Sequence, residues 1–298
     1  MIAPRQSDIS EKSARMKWRH LMFFALAGFW SSFDALAAEL PGRFVDLPTV
    51  RLWMIDGGGT GEPVILLHPR TGNSEFWQYT VPALAEAGYR AIAIDNPGWG
   101  KSVVHDVHNP VPVAETIDAL IDHLELGEIH VVGTAMGGYV ALDYAAWRPE
   151  RTKSLVIAAS GVGLQNDPEY RAFRERAEIP GMDQQPSDIR EVSPTYRGMN
   201  PEGVARWKEI YNNAQQEGAV RPPLRAPNTP EKLASLRVPS LVIAGGMDLV
   251  TPSGAMRLWS RHITAPKEFL VLPEAGHVLV WEQPEVFNQI LIDFLQKH

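Results

Sequence analysis

Three positions in this chain are placed as the members of a nucleophilic site, and one of them lacks the atom that would react. Asp248 follows the aliphatic run "SLVIAGG" (240–246) in "MDLVTP", and His277 follows "KEFLVL" (267–272) in "PEAGH". An acid and a histidine at the ends of two successive strands can pair, the carboxylate orienting the imidazole and stabilising its cation. Such a pair serves a nucleophile, and the chain supplies a place for one. In "EIHVVGTAMGGYVALDYAA" (128–146) an apolar run turns through "GTAMG" into a helical pattern, with Gly133 and Gly137 two residues either side of Ala135. An apex residue driven to positive φ needs small neighbours where strand and helix backbones nearly touch. Ala135 presents a methyl group there.

Each position read alone has a plainer meaning. Asp248 could cap a helix over "TPSGAMRLW", His277 could be an ordinary turn histidine, and a glycine-bearing turn also serves nucleotide loops. Together they run in the order apex, acid, histidine, each at a strand C-terminus, where ligands bind an open sheet.

The elements that must position them alternate. Strand-like runs are "RLWMIDGG" (51–58), "VILLH" (64–68), "YRAIAID" (89–95), "EIHVVG" (128–133), "KSLVIAAS" (153–160), "SLVIAGG" and "KEFLVL". Several are continuously apolar, as strands buried on both faces are. Helical spacing lies between them, closed by Gly88 and Gly127 and, in the last helix, opened by Pro284. This predicts an α/β, doubly wound, mostly parallel sheet. Residues 161–229 break the alternation with charged, proline-bearing helical pieces near 168–177 and 201–216, which predicts a helical lid insertion between core segments 38–160 and 230–298. "IDGGGTGEP" has no following Lys-Ser or Lys-Thr, so a hairpin turn at Asp56-Gly57 is expected rather than a phosphate loop.

A fourth feature joins the three. "VILLHPRTGNSEFW" follows an early strand, so the backbone N–H of Arg70 is placed to join that of Met136 as an oxyanion hole, with His68 fixing the loop. From about Phe44 to Phe294 the chain resembles the α/β-hydrolase superfamily, in the lid-bearing group of small esterases, lactonases and carbon–carbon bond hydrolases. The motifs that carry the resemblance are "GTAMG" at the G-x-S-x-G elbow, "DNPGWGKS" (95–102) and "AGHVLVWEQPEVF". Pro69 stands where the family often has glycine. The resemblance implies an eight-stranded core, no cofactor, and a triad of a serine at 135, His277 and Asp248.

Alanine at 135 then has three readings: a serine-to-alanine replacement that inactivates a carboxylic ester hydrolase, a natural non-catalytic small-molecule binder, or His/Asp base chemistry of the cofactor-independent, carbon–carbon cleaving or lyase type. The intact acid, base and oxyanion loop favour the first. Thr134 cannot substitute, because one step along a strand its side chain points to the other face. An aspartate nucleophile is disfavoured because Met136 stands where dehalogenases place tryptophan.

Candidates to line the cleft are Trp77, Trp99, Leu249 and Val278, with Met182, Met199, Trp207 and Tyr211 from the insertion, each of these last four expected first as core of the insertion; Arg70 could meet a substrate carboxylate, an exposed, solvated arginine being the plainer reading. The substrate is expected to be a small ester or lactone, uncharged or singly acidic. No H-E-x-x-H or other metal-ligand spacing is present, and no cysteine. A net charge of −7 without like-charge blocks argues against nucleic-acid and membrane-surface partners. At the N-terminus "MKWRHLMFFALAGFW" and Ala35-Leu36-Ala37 have the form of a signal peptide over 1–37, or 16–37 from Met16. That predicts a secreted or periplasmic protein without a stable membrane span; a cytoplasmic chain beginning with a buried or amphipathic helix is the alternative.

Overall fold

The computed structural model describes residues 41–298. The expected signal peptide lies outside the described residues.

Nine strands form one sheet: β1 Gly42–Asp46, β2 Val50–Asp56, β3 Pro63–Leu67, β4 Arg90–Ile94, β5 Val103–Val104, β6 Ile129–Thr134, β7 Thr152–Ala158, β8 Ser240–Gly245 and β9 Lys267–Leu272. Eight run in the order β1-β2-β4-β3-β6-β7-β8-β9, and the two-residue β5 adds to β2. Pairing is parallel from β4 through β3 to β9 and antiparallel at β1, β2 and β5. The helices are α1 Thr80–Glu86, α2 Val113–His123, α3 Met136–Trp147, α4 Pro168–Ala177, α5 Ser187–Glu191, α6 Pro194–Met199, α7 Pro201–Asn212, α8 Pro230–Ala234, α9 Ser253–Ser260, α10 Leu279–Glu282 and α11 Pro284–Leu295. Among these, no helix is long and apolar enough to cross a membrane.

Side chains alternate across the strands into two cores. Ile65 and Leu67 of β3 and Val131 of β6 pack with α2, α3 and α9, while Val64, Leu66 and Val132 pack with α1 and α11 on the other face. Burial on both faces explains why β3 and β6 read as unbroken apolar runs. The helices α4 to α7 lie between β7 and α8, where helical pieces without strand pattern were expected.

Two local expectations change. β4 lies between β2 and β3, so Asp56-Gly57 opens a crossover and not a hairpin. Asp56 caps the turn, accepting from the Gly58 N–H at 3.0 Å, and takes both Nε and Nη2 of Arg90. α2 stops before Gly127: Glu125 takes the left-handed position at φ 51°, and Leu126 N–H closes onto Ile121 O at 2.9 Å. The same closure follows α1, where Gly88 holds that position without a side-chain penalty.

Asp95, after β4, explains "DNPGWGKS". Its Oδ1 accepts from Ser74 N–H and its Oδ2 from Lys101 N–H, both at 2.7 Å, tying two loops at the sheet's C-terminal edge. At the opposite edge, His130 of β6 joins Ser154 Oγ of β7 through Nδ1 at 2.7 Å and Glu62 Oε2 through Nε2 at 3.1 Å. His130 and Ser154 are fully buried. Burial holds the His130 pKa below the ordinary value against the opposing pull of Glu62, so the ring is neutral near pH 7.

The contact that aims the site is between β6 and α3. A Cβ on Gly133 would stand 2.2 Å from Gly137 O, and one on Gly137 would stand 2.1 Å from Leu67 O. Helix propensity alone favours alanine over glycine at 137 by about 1 kcal/mol. The carbonyl collision decides the other way, and Gly137→Ala is expected to destabilise the protein by about 1–3 kcal/mol, the cost of overpacking against backbone. Urea denaturation checks this; an unchanged or raised midpoint contradicts it.

Candidate active site

Ala135 sits between β6 and α3 at φ 48° and ψ −113°, outside the regions an L-residue occupies freely. Its neighbours hold it there. Ala135 N–H donates to Ala158 O at 3.0 Å, and the buried Ser160 hydroxyl donates to Ala135 O at 2.6 Å. The indole N–H of Trp259 donates to Ser160 O at 2.8 Å, fixing the brace from α9.

Ala135 and His277 line one cleft of about 260 Å³, with Arg70, Thr71, Met136, Tyr139, Gly161, Glu191, Val250 and Thr251. Asp248 lies behind His277, its Oδ2 2.9 Å from Nδ1. Its other oxygen, Oδ1, accepts from Val250 N–H at 2.8 Å and Thr251 N–H at 2.7 Å. The acid therefore builds its own turn with one oxygen and meets the histidine with the other. Because α9 begins only at Ser253, this is a turn cap rather than a helix cap.

Burial alone would lower the His277 pKa. The charge and hydrogen bond of Asp248, helped by Glu191, outweigh that and raise it, with Arg174 opposing. Such an imidazole accepts a proton readily and keeps the cation stable.

Arg70 and Met136 both line the cleft, and their backbone N–H groups have no backbone acceptor among the described residues. His68 fixes the Arg70 loop. Asn96 N–H donates to its Nε2 at 2.9 Å, so the proton is on Nδ1, which donates to Pro69 O at 2.7 Å. Burial lowers its pKa, keeping it neutral. Pro69 O also accepts from Gly72 N–H at 3.0 Å, so proline is accommodated in an ordered turn.

Several of the candidates for the cleft lie elsewhere. Trp77 is fully buried against Phe76 and Phe287, because its single-turn helix points it into the core under α11. Trp207 is also core: Val204, Trp207 and Ile210 form the inward stripe of α7. Val278 turns away from its neighbour His277 into the same core. Trp99 lies behind the loop, donating from Nε1 to Arg70 O at 3.0 Å. Leu249 and Met182 line an adjoining cavity, Met199 is exposed, and Tyr211 stacks near Trp207.

Thr71, Tyr139, Gly161, Glu191, Val250 and Thr251 are the unanticipated members. Glu191, at the end of α5, joins three parts. Its backbone carbonyl accepts from His277 N–H at 2.8 Å and Val278 N–H at 3.3 Å, and its Oε2 accepts from Thr71 Oγ1 at 2.8 Å. The buried Glu282 completes the tie, accepting from Gly276 N–H at 3.0 Å and Ser193 N–H at 3.2 Å. No motif marks Glu191, which lies in the insertion; Val250 and Thr251 could have been found as neighbours of Asp248.

A family model described as alpha/beta hydrolase fold matches residues 62–284. The chain is 33% identical over 274 residues to the dihydrolipoyllysine-residue acetyltransferase component of the acetoin cleaving system of Pseudomonas putida, covering 88% of this chain and 69% of that one. It is 28% identical to a 2-hydroxy-6-oxononadienedioate/2-hydroxy-6-oxononatrienedioate hydrolase of Escherichia coli, covering 84% and 92% of the two chains. A solved thermophilic esterase of Thermogutta terrifontis, malate bound, superposes with a TM-score of 0.70 at 27% identity, covering 86% of this chain and 98% of that one.

His277 is expected to titrate above the ordinary histidine value. Asp248→Asn should bring it down strongly, since burial then dominates, and Glu191→Gln should lower it less. Histidine-selective NMR titration reads all three; a His277 at or below the ordinary value in the unsubstituted chain contradicts the charge balance described.

Proposed function

The chain belongs to the α/β-hydrolase family, and on that premise we propose that its cleft is built to hydrolyse small carboxylic esters or lactones, with Ala135 leaving it able to bind such a substrate but not to turn it over. The observation that carries this is Ala135 itself, held at φ 48° beside the Asp248–His277 pair. A non-glycine residue in such a conformation costs about 1–3 kcal/mol. That strain has a use when the residue must present a nucleophilic oxygen to the cleft, and none for a methyl group.

With serine at 135, the Oγ–H proton would pass to His277 Nε2 as Oγ attacks the carbonyl carbon. Nδ1–H, donating to Asp248 Oδ2, stabilises the imidazolium. The carbonyl oxygen, now negative, would be met by the N–H groups of Met136 and Arg70, the former at the N-terminus of α3 where the helix leaves its donors unused. His277 would then return the proton to the leaving oxygen, and water would release the acyl group by the reverse exchange. The helical insertion would act as the lid over this chemistry.

Without an oxygen at 135 no acyl-enzyme forms, a loss on the order of 10⁶-fold in turnover. A second reading rests on the same absence: the His277–Asp248 pair remains complete as a base for chemistry that needs no protein nucleophile, including carbon–carbon cleavage.

Ala135→Ser is expected to raise hydrolysis of short p-nitrophenyl esters or lactones by orders of magnitude, and His277→Ala in that background to remove the gain. If the serine variant hydrolyses neither panel above buffer, the ester reading fails. If the alanine chain turns over a carbon–carbon substrate unaided, the second reading replaces it.

A further inference from the structure

Beside the cleft lies a larger cavity of about 470 Å³, and Val250 borders both. Its charges are sorted by depth. Arg174 and Arg190 are half-buried in its wall, Arg171 is exposed at its mouth, and the acids Glu175, Glu178 and Asp183 are all exposed. Arg174 stands at the junction, its Nη1 donating to Val250 O at 2.6 Å, and its charge reaches His277 and Tyr139 in the cleft. Arg190 is incompletely paired. Its Nη2 donates to Tyr211 OH at 3.3 Å, Glu191 Oε1 is 4.0 Å away, and its buried Nε has no partner among the described residues.

A guanidinium withdrawn from water without a full set of acceptors carries a desolvation cost that a planar carboxylate, accepting two N–H bonds at once, removes. Ile179, Met182, Leu249 and Pro252 supply an apolar wall along which a short methylene chain could lie.

We propose that this cavity is the subsite for an anionic arm of the substrate, a carboxylate carried a few bonds from the reacting carbonyl and held by Arg174 and Arg190, with Arg171 drawing it in. The proposal rests on the reading of the adjoining cleft as an ester site. It narrows the substrate from small esters in general to half-esters of dicarboxylic acids and lactones with a pendant acid.

The alanine chain allows a direct binding test, because it holds an ester without consuming it. Calorimetry would compare the monomethyl esters of succinate, adipate and suberate with the neutral dimethyl esters of the same acids. At least one half-ester is expected to bind roughly tenfold more tightly than its neutral partner at low salt, the scale of one charge-assisted bidentate contact. Arg174→Gln and Arg190→Gln should each remove most of that preference, and Arg174→Lys should keep part of it. Because Arg174 and Arg190 also brace the insertion, Arg171→Glu, at an exposed position, is compared with them: it should weaken the half-esters more than the diesters, with circular dichroism and the melting temperature reading its fold.

Equal binding of half-esters and diesters, no binding of any half-ester, or a preference unchanged in all these variants would overturn the proposal. Hydrolysis of the same esters by Ala135→Ser separates the two readings. A charge preference without hydrolysis sinks the ester reading and leaves the anionic subsite; hydrolysis without a charge preference does the reverse.

Discussion

The closest backbone approach in the site, where β6 turns into α3 against the end of β3, sets the terms for the rest. Gly133, Gly137 and Leu67 O leave no room for a side chain, and the only way through is a turn whose apex has positive φ. Once that turn exists, residue 135 is raised above the C-terminal edge of the sheet. The loops after β3, β7, β8 and β9 then gather around it, because each strand of a parallel sheet delivers its loop to the same edge. Ser160 and Trp259 matter as braces for that turn: they transmit the packing of α9 and the end of β7 to a single carbonyl.

Around His277 the balance is electrostatic. Burial opposes its charge, Asp248 and Glu191 favour it, and Arg174 disfavours it. Two of these four influences, Glu191 and Arg174, come from the helical insertion rather than the sheet. The insertion is therefore tied to the surroundings of His277 as firmly as the sheet is. Through one backbone carbonyl and one carboxylate, Glu191 fastens both the histidine loop and the Arg70 loop, so a displacement of α5 would move both sides of the cleft together.

Where sequence and structure agree, the sequence contained a local geometric demand. The glycines around Ala135, the aspartate after "AGGM" and the histidine after "PEAG" each stand at a strand end whose turn restricts residue type, so type and spacing carried position. The sheet was legible because burial on both faces leaves apolar runs. β1 was not among those runs, since three of its five residues, Arg43, Phe44 and Asp46, are exposed and only Val45 is buried. The tryptophans show a different limit. Hydrophobicity announces that Trp77 and Trp207 are buried but not whether they face a cleft or a core, and the rotation of a short helix decides that. Glu191 was invisible because its role depends on how the insertion packs, which no periodicity encodes.

His130 has a consequence of its own. Ser154, His130 and Glu62 repeat the residue types of a hydrolytic triad, with His130 2.7 Å from the serine and 3.1 Å from the glutamate, at the far edge of the same sheet. There the serine is a strand residue sealed from solvent, and the histidine is neutral. Buried between strands, His130 and Ser154 tie β6 to β7 and to the exposed Glu62, whereas at His277 a strained turn lifts residue 135 into a cavity.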